Sequence, residues 1–173
     1  MELFGIIQIT YLDIQLTVQL LLSFMLGSIL GLEREHLGKA AGTRTFALVA
    51  VGSTLFTAIS IYGFSEFSVP GSVDVSRIAA SIVTGIGFLG MGLIVHNGVR
   101  VSGLTTAAGL WVAAAIGMAI GVQLYIVAVV TTVFTFFIFS LIRMLNIEAK
   151  VAVRTERQES VYSKRHKLVS KKR

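Results

Sequence analysis

Three charged residues in a row, Glu33-Arg34-Glu35, directly follow an apolar run and are the first group that could do chemistry. On a helix, carboxylates two residues apart point in different directions, so they make a poor chelate by themselves. A charge near lipid needs a partner, and Lys39 or Arg44 could provide one across the next loop. We expect this group to fix a helical hairpin, and a cation site at the membrane rim is the functional alternative.

A second group combines Asp74 with Arg77, and Glu66 lies upstream of both. Asp74 and Arg77 can pair at the start of a helix, or Asp74 can cap that helix. Alternatively, Asp74 and Glu66 could attract hydrated Mg2+, which keeps its waters and uses one or two carboxylates. The residues alone leave both interpretations open.

The other reactive residue types argue against an enzyme. His36, His96 and His166 show no metal-ligand spacing, and the chain contains no cysteine. No nucleophile with a base, phosphate-binding loop or cofactor fingerprint is present. We therefore expect no catalytic activity, no nucleic-acid partner and no cofactor, with Mg2+ as a conceivable ligand or transported ion.

Composition places these groups on a membrane protein. The chain is 54% hydrophobic and 14% charged, whereas soluble domains carry about 25% charged residues. Five apolar runs each approach the roughly 20 residues that cross a bilayer. We predict an all-α polytopic membrane protein with a transmembrane domain over 1–145 and a short basic cytoplasmic tail over 146–173. Its spans are about 14–32, 45–62, 78–95, 104–120 and 124–145.

The basic residues predict the orientation of these spans in the lipid bilayer. If the N-terminus is outside, every Lys and Arg except Arg77 lies in a cytoplasmic segment, as the positive-inside rule requires. Five spans then place the C-terminus in the cytoplasm. Asp13 is the predicted N-cap of the first span, and His96–Gly103 is the predicted loop between the third and fourth spans.

Small residues recur on several spans at spacings that favour close packing. Glycine weakens a helix in water by about 1 kcal/mol, but in lipid it lets neighbouring helices approach closely. We predict that these faces pack against other helices and mediate homo-oligomer formation or contact with another membrane protein. The glycines concerned are Gly27, Gly31, Gly85, Gly87, Gly90, Gly92, Gly109, Gly117 and Gly121.

One face of the first span is polar. Gln15, Gln19 and Ser23 recur every four residues, in line with Gly27 and Gly31. Polar side chains in a membrane usually face a neighbouring helix or a cavity. This face therefore either joins helices or lines a hydrophilic path.

An offset of 61 residues aligns the first two spans with the third and fourth. If this repeat is real, two equivalent loops each end at a helix N-terminus, one with Arg44 and Thr45, the other with Arg100, Thr105 and Thr106. Free N–H groups and a nearby arginine favour an anion or a partner's carboxylate. Simple capping by the threonines is the alternative.

Several of these stretches together resemble the MgtC/SapB family of bacterial membrane proteins. The matching residues are Asp74-x-x-Arg77, Gly-Ile-Gly-Phe-Leu-Gly-Met-Gly at 85–92 and Gly-Leu-Thr-Thr-Ala-Ala-Gly-Leu-Trp at 103–111, with further matches at 31–35 and 42–45. The resemblance implies a multi-pass protein of the bacterial plasma (inner) membrane that serves under Mg2+ limitation. Family members usually carry a C-terminal cytoplasmic domain; this chain departs from that pattern, and we expect a short form without the domain. For members from pathogens, the resemblance implies a modulator of other membrane machines, such as the ATP synthase, with a role in virulence.

Two functional hypotheses follow. The first is a regulatory or interaction protein in Mg2+ homeostasis and adaptation to low Mg2+. The second is a Mg2+ or other cation transporter or channel in its own right, with Gln15, Gln19 and Asp74 along its route. No predicted span carries a buried carboxylate, a group that many cation carriers use, so the residues give the second hypothesis limited support.

Overall fold

The computed structural model describes residues 10–64, 74, 76–97 and 100–144, and helices dominate this part of the chain. The elements are α1 (Tyr11–His36), α2 (Thr43–Ala58, continued by a π-helical turn at Ile59–Gly63), α3 (Ser76–Leu93), β1 (Val95–Asn97), β2 (Arg100–Ser102), α4 (Leu104–Gly121) and α5 (Tyr125–Met144).

Four of these helices are long and apolar enough to cross a membrane, which agrees with the predicted class of all-α membrane protein. They are α1, α2 with its π-helical turn, α3 and α4. The apolar part of α5, Tyr125–Leu141, is shorter. The predicted basic tail and Glu66 lie outside the described residues.

Helix α1 is longer at both ends than the predicted span. It begins after Thr10, whose backbone N–H donates a 2.8 Å hydrogen bond to the Asp13 carboxylate in the first turn. Asp13 is therefore not the N-cap, and the prediction placed the helix start too late. At the other end the helix continues through His36, because charged residues at a membrane surface can stay helical although they end an apolar run.

The predicted loop between α3 and α4 is a short antiparallel hairpin, in which β1 pairs with β2 and His96 lies opposite Val101. The hairpin ends at Gly103, which has a φ of 89°. A Cβ at this position would lie 2.0 Å from the Leu93 carbonyl oxygen. Only glycine fits this left-handed, closely packed position at the start of α4.

The centre of the bundle lies between α1, α2, α4 and α5. Its buried side chains are apolar, and α3 contributes little to this core. Only 11% of the apolar window of α3 is buried, against 56% of that of α4. Helix α3 therefore lies at the edge of the bundle. The largest members of the core are Leu26, Leu30, Phe46, Leu110, Ile116, Ile120 and Phe139.

Glycines on α1 and α4 lie where helices approach most closely. A Cβ on Gly31 would lie 2.5 Å from the Thr43 Cα, and one on Gly117 would lie 2.2 Å from the Ala50 carbonyl oxygen. Gly27, Gly109 and Gly121 are equally crowded by the described residues. These small residues let α1 and α4 pack directly on the backbone of α2.

The glycines of α3 have different surroundings. Gly90 faces Ala107 at an ordinary 3.6 Å, but a Cβ on Gly85, Gly87 or Gly92 would meet no described neighbour within 4 Å. We call the outward surface of α3 that carries these glycines the open α3 face; at 100° per residue, Gly85 and Gly92 lie on one side of it and Gly87 on the other. The small residues of α4 are thus used within the chain, whereas the open α3 face carries glycines that no described residue contacts closely.

The two glycine environments predict opposite responses to one added methyl group. Gly117→Ala should force α2 and α4 apart and lower stability by about 1–3 kcal/mol, as overpacking does elsewhere. Gly87→Ala adds the same methyl group to open space on a helix, so stability should stay equal or rise. The fraction of monodisperse protein after heating in detergent, measured by size exclusion, reports both effects. Equal losses for the two variants would contradict this packing.

Candidate functional site

Arg34 is the largest fully buried side chain in the described part of the chain, with 1% of its surface exposed. Because α1 continues to His36, Arg34 lies one turn after Leu30 on the helix face that enters the bundle. Its guanidinium lies 3.8 Å from the centre of the Phe139 ring on α5. A cation over an aromatic face is attracted by the ring quadrupole, and more strongly when water is excluded.

Glu33 supplies the counter-charge to Arg34. Its Oε2 accepts a hydrogen bond from the Arg34 Nε, and only 7% of the Glu33 side chain is exposed. The other oxygen, Oε1, is buried and has no hydrogen-bond partner among the described residues. Glu33 thus pairs with its neighbour in sequence and not across the hairpin with Arg44.

This pair corrects the expectation that no span carries a buried carboxylate. The apolar run ends at Leu32, but α1 continues for another turn and carries Glu33 below the surface. Buried charges on helices that can cross a membrane usually mark functional sites.

Phe139, which contacts Arg34, rests on a glycine of the sequence motif. A Cβ on Gly109 would lie 2.6 Å from the Phe139 Cζ and 3.1 Å from the Phe46 Cζ. Gly109 therefore has to be glycine for the ring to lie flat beneath the guanidinium. Sequence reasoning found Gly109 by its spacing, but it missed Phe139, because a phenylalanine among many on an apolar span carries no signal.

Glu35 performs a different task at the same end of the bundle. Its Oε2 accepts a 2.8 Å hydrogen bond from the backbone N–H of Thr43, in the first turn of α2. The N-cap of α2 is Gly42, which has no side chain to cap the helix. A carboxylate of the same chain thus occupies the helix N-terminus where an anion was expected. Arg44 and Thr45, the other residues predicted there, are exposed.

Among the described residues, no carboxylate accepts a hydrogen bond at the corresponding start of α4. His96 is the residue that the proposed repeat aligns with Glu35, and it is exposed on β1. Thr106 is buried with 2% of its surface exposed, whereas Thr105 is exposed. Arg100 lies in β2. The two helix starts therefore differ in their chemistry.

Asp74 lies just before α3 and accepts hydrogen bonds from Ser76, at 2.6 Å from the hydroxyl and 2.9 Å from the backbone N–H. These bonds, together with the charge of Arg77, hold the pKa of the Asp74 carboxyl below its ordinary value of 3.8. Asp74 therefore caps the start of α3, in agreement with one of the two interpretations. The described residues contain no group of three or more His, Asp or Glu that could hold a metal ion.

A polar row continues from Arg34 along the interior of the bundle. Gln19 is buried and donates a 3.0 Å hydrogen bond from Nε2 to the Tyr125 hydroxyl on α5. Thr54 donates a 2.8 Å hydrogen bond to the Gly117 carbonyl, which joins α2 to α4. The predicted polar face of α1 is therefore directed inward, except that Gln15 is only partly buried.

An apolar groove of about 650 Å³ separates α2 from α3. Gly52 on α2 and Gly85 on α3 form part of its lining, and neither has a described neighbour within 4 Å of a Cβ. Phe56 and Phe88 also line it. The groove borders the open α3 face.

Comparison with known proteins identifies relatives of the chain. The model of the MgtC family matches residues 20–147. Three relatives are the Escherichia coli K12 protein named "Putative magnesium transporter YhiD" (41% identical over 75% of this chain and 61% of its own length), protein SrpB of Synechococcus elongatus (41%, 69% and 70%) and protein MgtC of Brucella abortus (44%, 71% and 49%). The chain thus spans about half to two thirds of the length of these relatives. No solved structure matches it.

The buried pair predicts a large effect of removing one charge. Glu33→Gln leaves the Arg34 charge without a counter-charge in a low-dielectric interior, which costs about 3–5 kcal/mol in comparable pairs. Replacing both residues, as in Glu33→Gln with Arg34→Met, removes the charge and should recover much of that loss. The melting temperatures of the wild type, the single variant and the double variant, in detergent or lipid nanodiscs, measure these losses.

The matched control is Glu35→Gln, two residues further along the same helix. Glu35 is exposed, and glutamine keeps an oxygen that can accept from Thr43, so the loss should be below about 1 kcal/mol. Equal effects of Glu33→Gln and Glu35→Gln would show that Glu33 is not buried against Arg34.

The bonds to Asp74 predict a pH dependence of a definite sign. Because the folded state lowers the pKa of this carboxyl, Asp74 stabilises the fold above pH 3.8, and this contribution is lost as pH falls through the lower folded-state pKa. Ser76→Ala should raise the pKa of Asp74, as seen by carboxyl 13C NMR. Ser81→Ala, whose hydroxyl bonds instead to the Arg77 carbonyl, should leave it unchanged. An unchanged titration in Ser76→Ala would contradict this arrangement.

Proposed function

The chain belongs to the MgtC family, and from this premise we propose that it is a membrane protein of Mg2+ homeostasis that acts by binding other membrane proteins. Its relative YhiD is named "Putative magnesium transporter YhiD". The family relationship supports the link to magnesium, and the contacts of Arg34 and of α3 support action through binding.

The observation that carries this proposal is the burial of Arg34. A guanidinium stays protonated at any physiological pH, so its charge is permanent. It lies between α1 and α5 at the charged end of the bundle. A cation that moved through this core would meet a fixed positive charge in a medium that screens poorly. The core of one copy is therefore unfavourable for Mg2+.

The open α3 face supports the binding part of the proposal. Transmembrane helices associate where small residues allow their backbones to approach. The small residues of α1 and α4 are already occupied within the chain, whereas Gly85, Gly87 and Gly92 are not. A helix of a second copy or of another membrane protein could pack there. The ATP synthase is one partner class that the family resemblance implies.

We place the protein in the bacterial inner membrane with five spans, the N-terminus outside and the C-terminus in the cytoplasm. The distribution of Lys and Arg supports this orientation. The ends of α1 and β1-β2, with Arg34, then lie on the cytoplasmic side.

Transport of Mg2+ or another cation is the second candidate. The buried carboxylate of Glu33 favours it, because its Oε1 has no described partner and could face an ion. Under this alternative the ion would have to pass beside Arg34 or along an interface between copies.

The two candidate functions differ in whether the protein transports Mg2+ without a partner protein. We expect liposomes that contain only this protein, loaded with a Mg2+ indicator, to take up no more Mg2+ than empty liposomes, after correct insertion has been verified by protease protection. Uptake above that of empty liposomes that falls in Glu33→Gln would overturn the proposal in favour of transport.

Binding is tested separately in native membranes. A photo-crosslinking amino acid at Gly87, on the open α3 face, should form a defined adduct with a membrane protein that mass spectrometry identifies. The matched position is Ala113, which is fully buried in the bundle and should form none. The absence of an adduct from Gly87, Gly85 and Gly92 alike would remove the support for this surface.

A further inference from the structure

The contact between α1 and α5 contains a polar pair, Gln19 with Tyr125, in addition to the contact of Arg34 with Phe139. Gln19 contacts Tyr125 and Arg34 contacts Phe139, at nearly the same residue offset, so the two helices run parallel. Gln19 lies eight residues after the first residue of α1, or about 12 Å along the helix at 1.5 Å per residue. The pair therefore lies within the hydrophobic thickness of a bilayer.

Two buried oxygens on the inward face of α1, one of them on Gln19, lack hydrogen-bond partners in the described structure. They are the Oε1 of Gln19 and the Oγ of Ser23, on side chains that are 1% and 0% exposed. Both residues lie on the same face of α1, one turn apart, and this face is directed into the bundle. Neighbours four residues apart on a helix have Cβ atoms about 5–6 Å apart.

That spacing suits one bridging molecule. The Oε1 of an amide can only accept, and the Ser23 hydroxyl can both donate and accept. A water molecule has two donors and two acceptors, so it can donate to Gln19 and exchange a hydrogen bond with Ser23. Buried waters commonly satisfy polar groups of this kind. We propose that Gln19 and Ser23 bind one water molecule inside the transmembrane bundle.

The chemistry favours water over a cation. Gln19, Ser23 and Tyr125 offer neutral oxygens, and a cation away from water requires a compensating charge. The nearest buried charges further along α1 are those of the Glu33–Arg34 pair, about 15 Å beyond Ser23 on the helix axis, and they compensate each other. A neutral ligand that donates hydrogen bonds fits this set of atoms.

A double-mutant cycle tests the bridge. If one water joins the two side chains, either Gln19→Met or Ser23→Ala breaks the bridge and leaves the other oxygen unpaired. Each single variant should then lower the melting temperature in nanodiscs by about 2–4 °C. The double variant removes both polar groups, so its melting temperature should lie near those of the single variants. Its loss should therefore be well below the sum of the two single losses.

The matched control replaces Ser28, whose Oγ is also buried without a described partner. Ser28 lies nine residues from Gln19, on the opposite side of α1 at 100° per residue. The effects of Gln19→Met and Ser28→Ala should therefore add. Additive effects in the Gln19 and Ser23 cycle as well, or melting temperatures that rise in both single variants, would overturn the proposal.

Two further measurements complete the test. Raising Na+ or K+ at constant ionic strength should shift the melting temperatures of wild type and double variant equally, whereas a selective rise for wild type with one ion would show a cation site instead. Water-edited solid-state NMR of the wild-type chain in lipid should transfer magnetisation from water to the Gln19 side-chain amide. No transfer would overturn the proposal even if the variants fail to fold.

Discussion

The burial of one guanidinium sets requirements on three helices. The buried charge of Arg34 is balanced in the bundle by Glu33 and by the Phe139 ring. The ring in turn requires a position without a side chain on α4, which Gly109 provides. A charge on α1 thus explains an aromatic residue on α5 and a glycine on α4. The same charge makes the core unfavourable for a cation and directs attention to the outer surfaces of the chain.

Those surfaces are unequal because the small residues are used unequally. On α1 and α4 they bring helices into contact with the backbone of α2, and Glu35 joins α1 to the start of α2. Helix α3 is held mainly by α4 and ends in a short hairpin. Its remaining glycines face outward, next to the groove between α2 and α3. The fold therefore combines a closely packed interior with one peripheral helix suited to binding.

The apolar runs of the sequence predicted helices at the right places. A long apolar run in lipid has to satisfy its own backbone hydrogen bonds, which a helix does. The four-residue spacing from Thr105 to Gly121 also predicted a closely packed face of α4. Spacing could not say which neighbour a small residue meets, so Gly87 was grouped with Gly117. Arg34 was placed at the rim because a charge ended the apolar run. Its position four residues after Leu30, on the packed face, is a signal of burial that the sequence reasoning did not use.

Chemical modification of arginine in native membranes tests the central claim most directly. Phenylglyoxal reacts with accessible guanidinium groups, and Arg34 and Arg44 lie at the same end of the bundle with opposite exposure. Mass spectrometry should show that Arg44 is modified and Arg34 is protected until the protein is denatured. Equal modification of the two residues in the folded protein would contradict the burial of Arg34 and the closed core that follows from it.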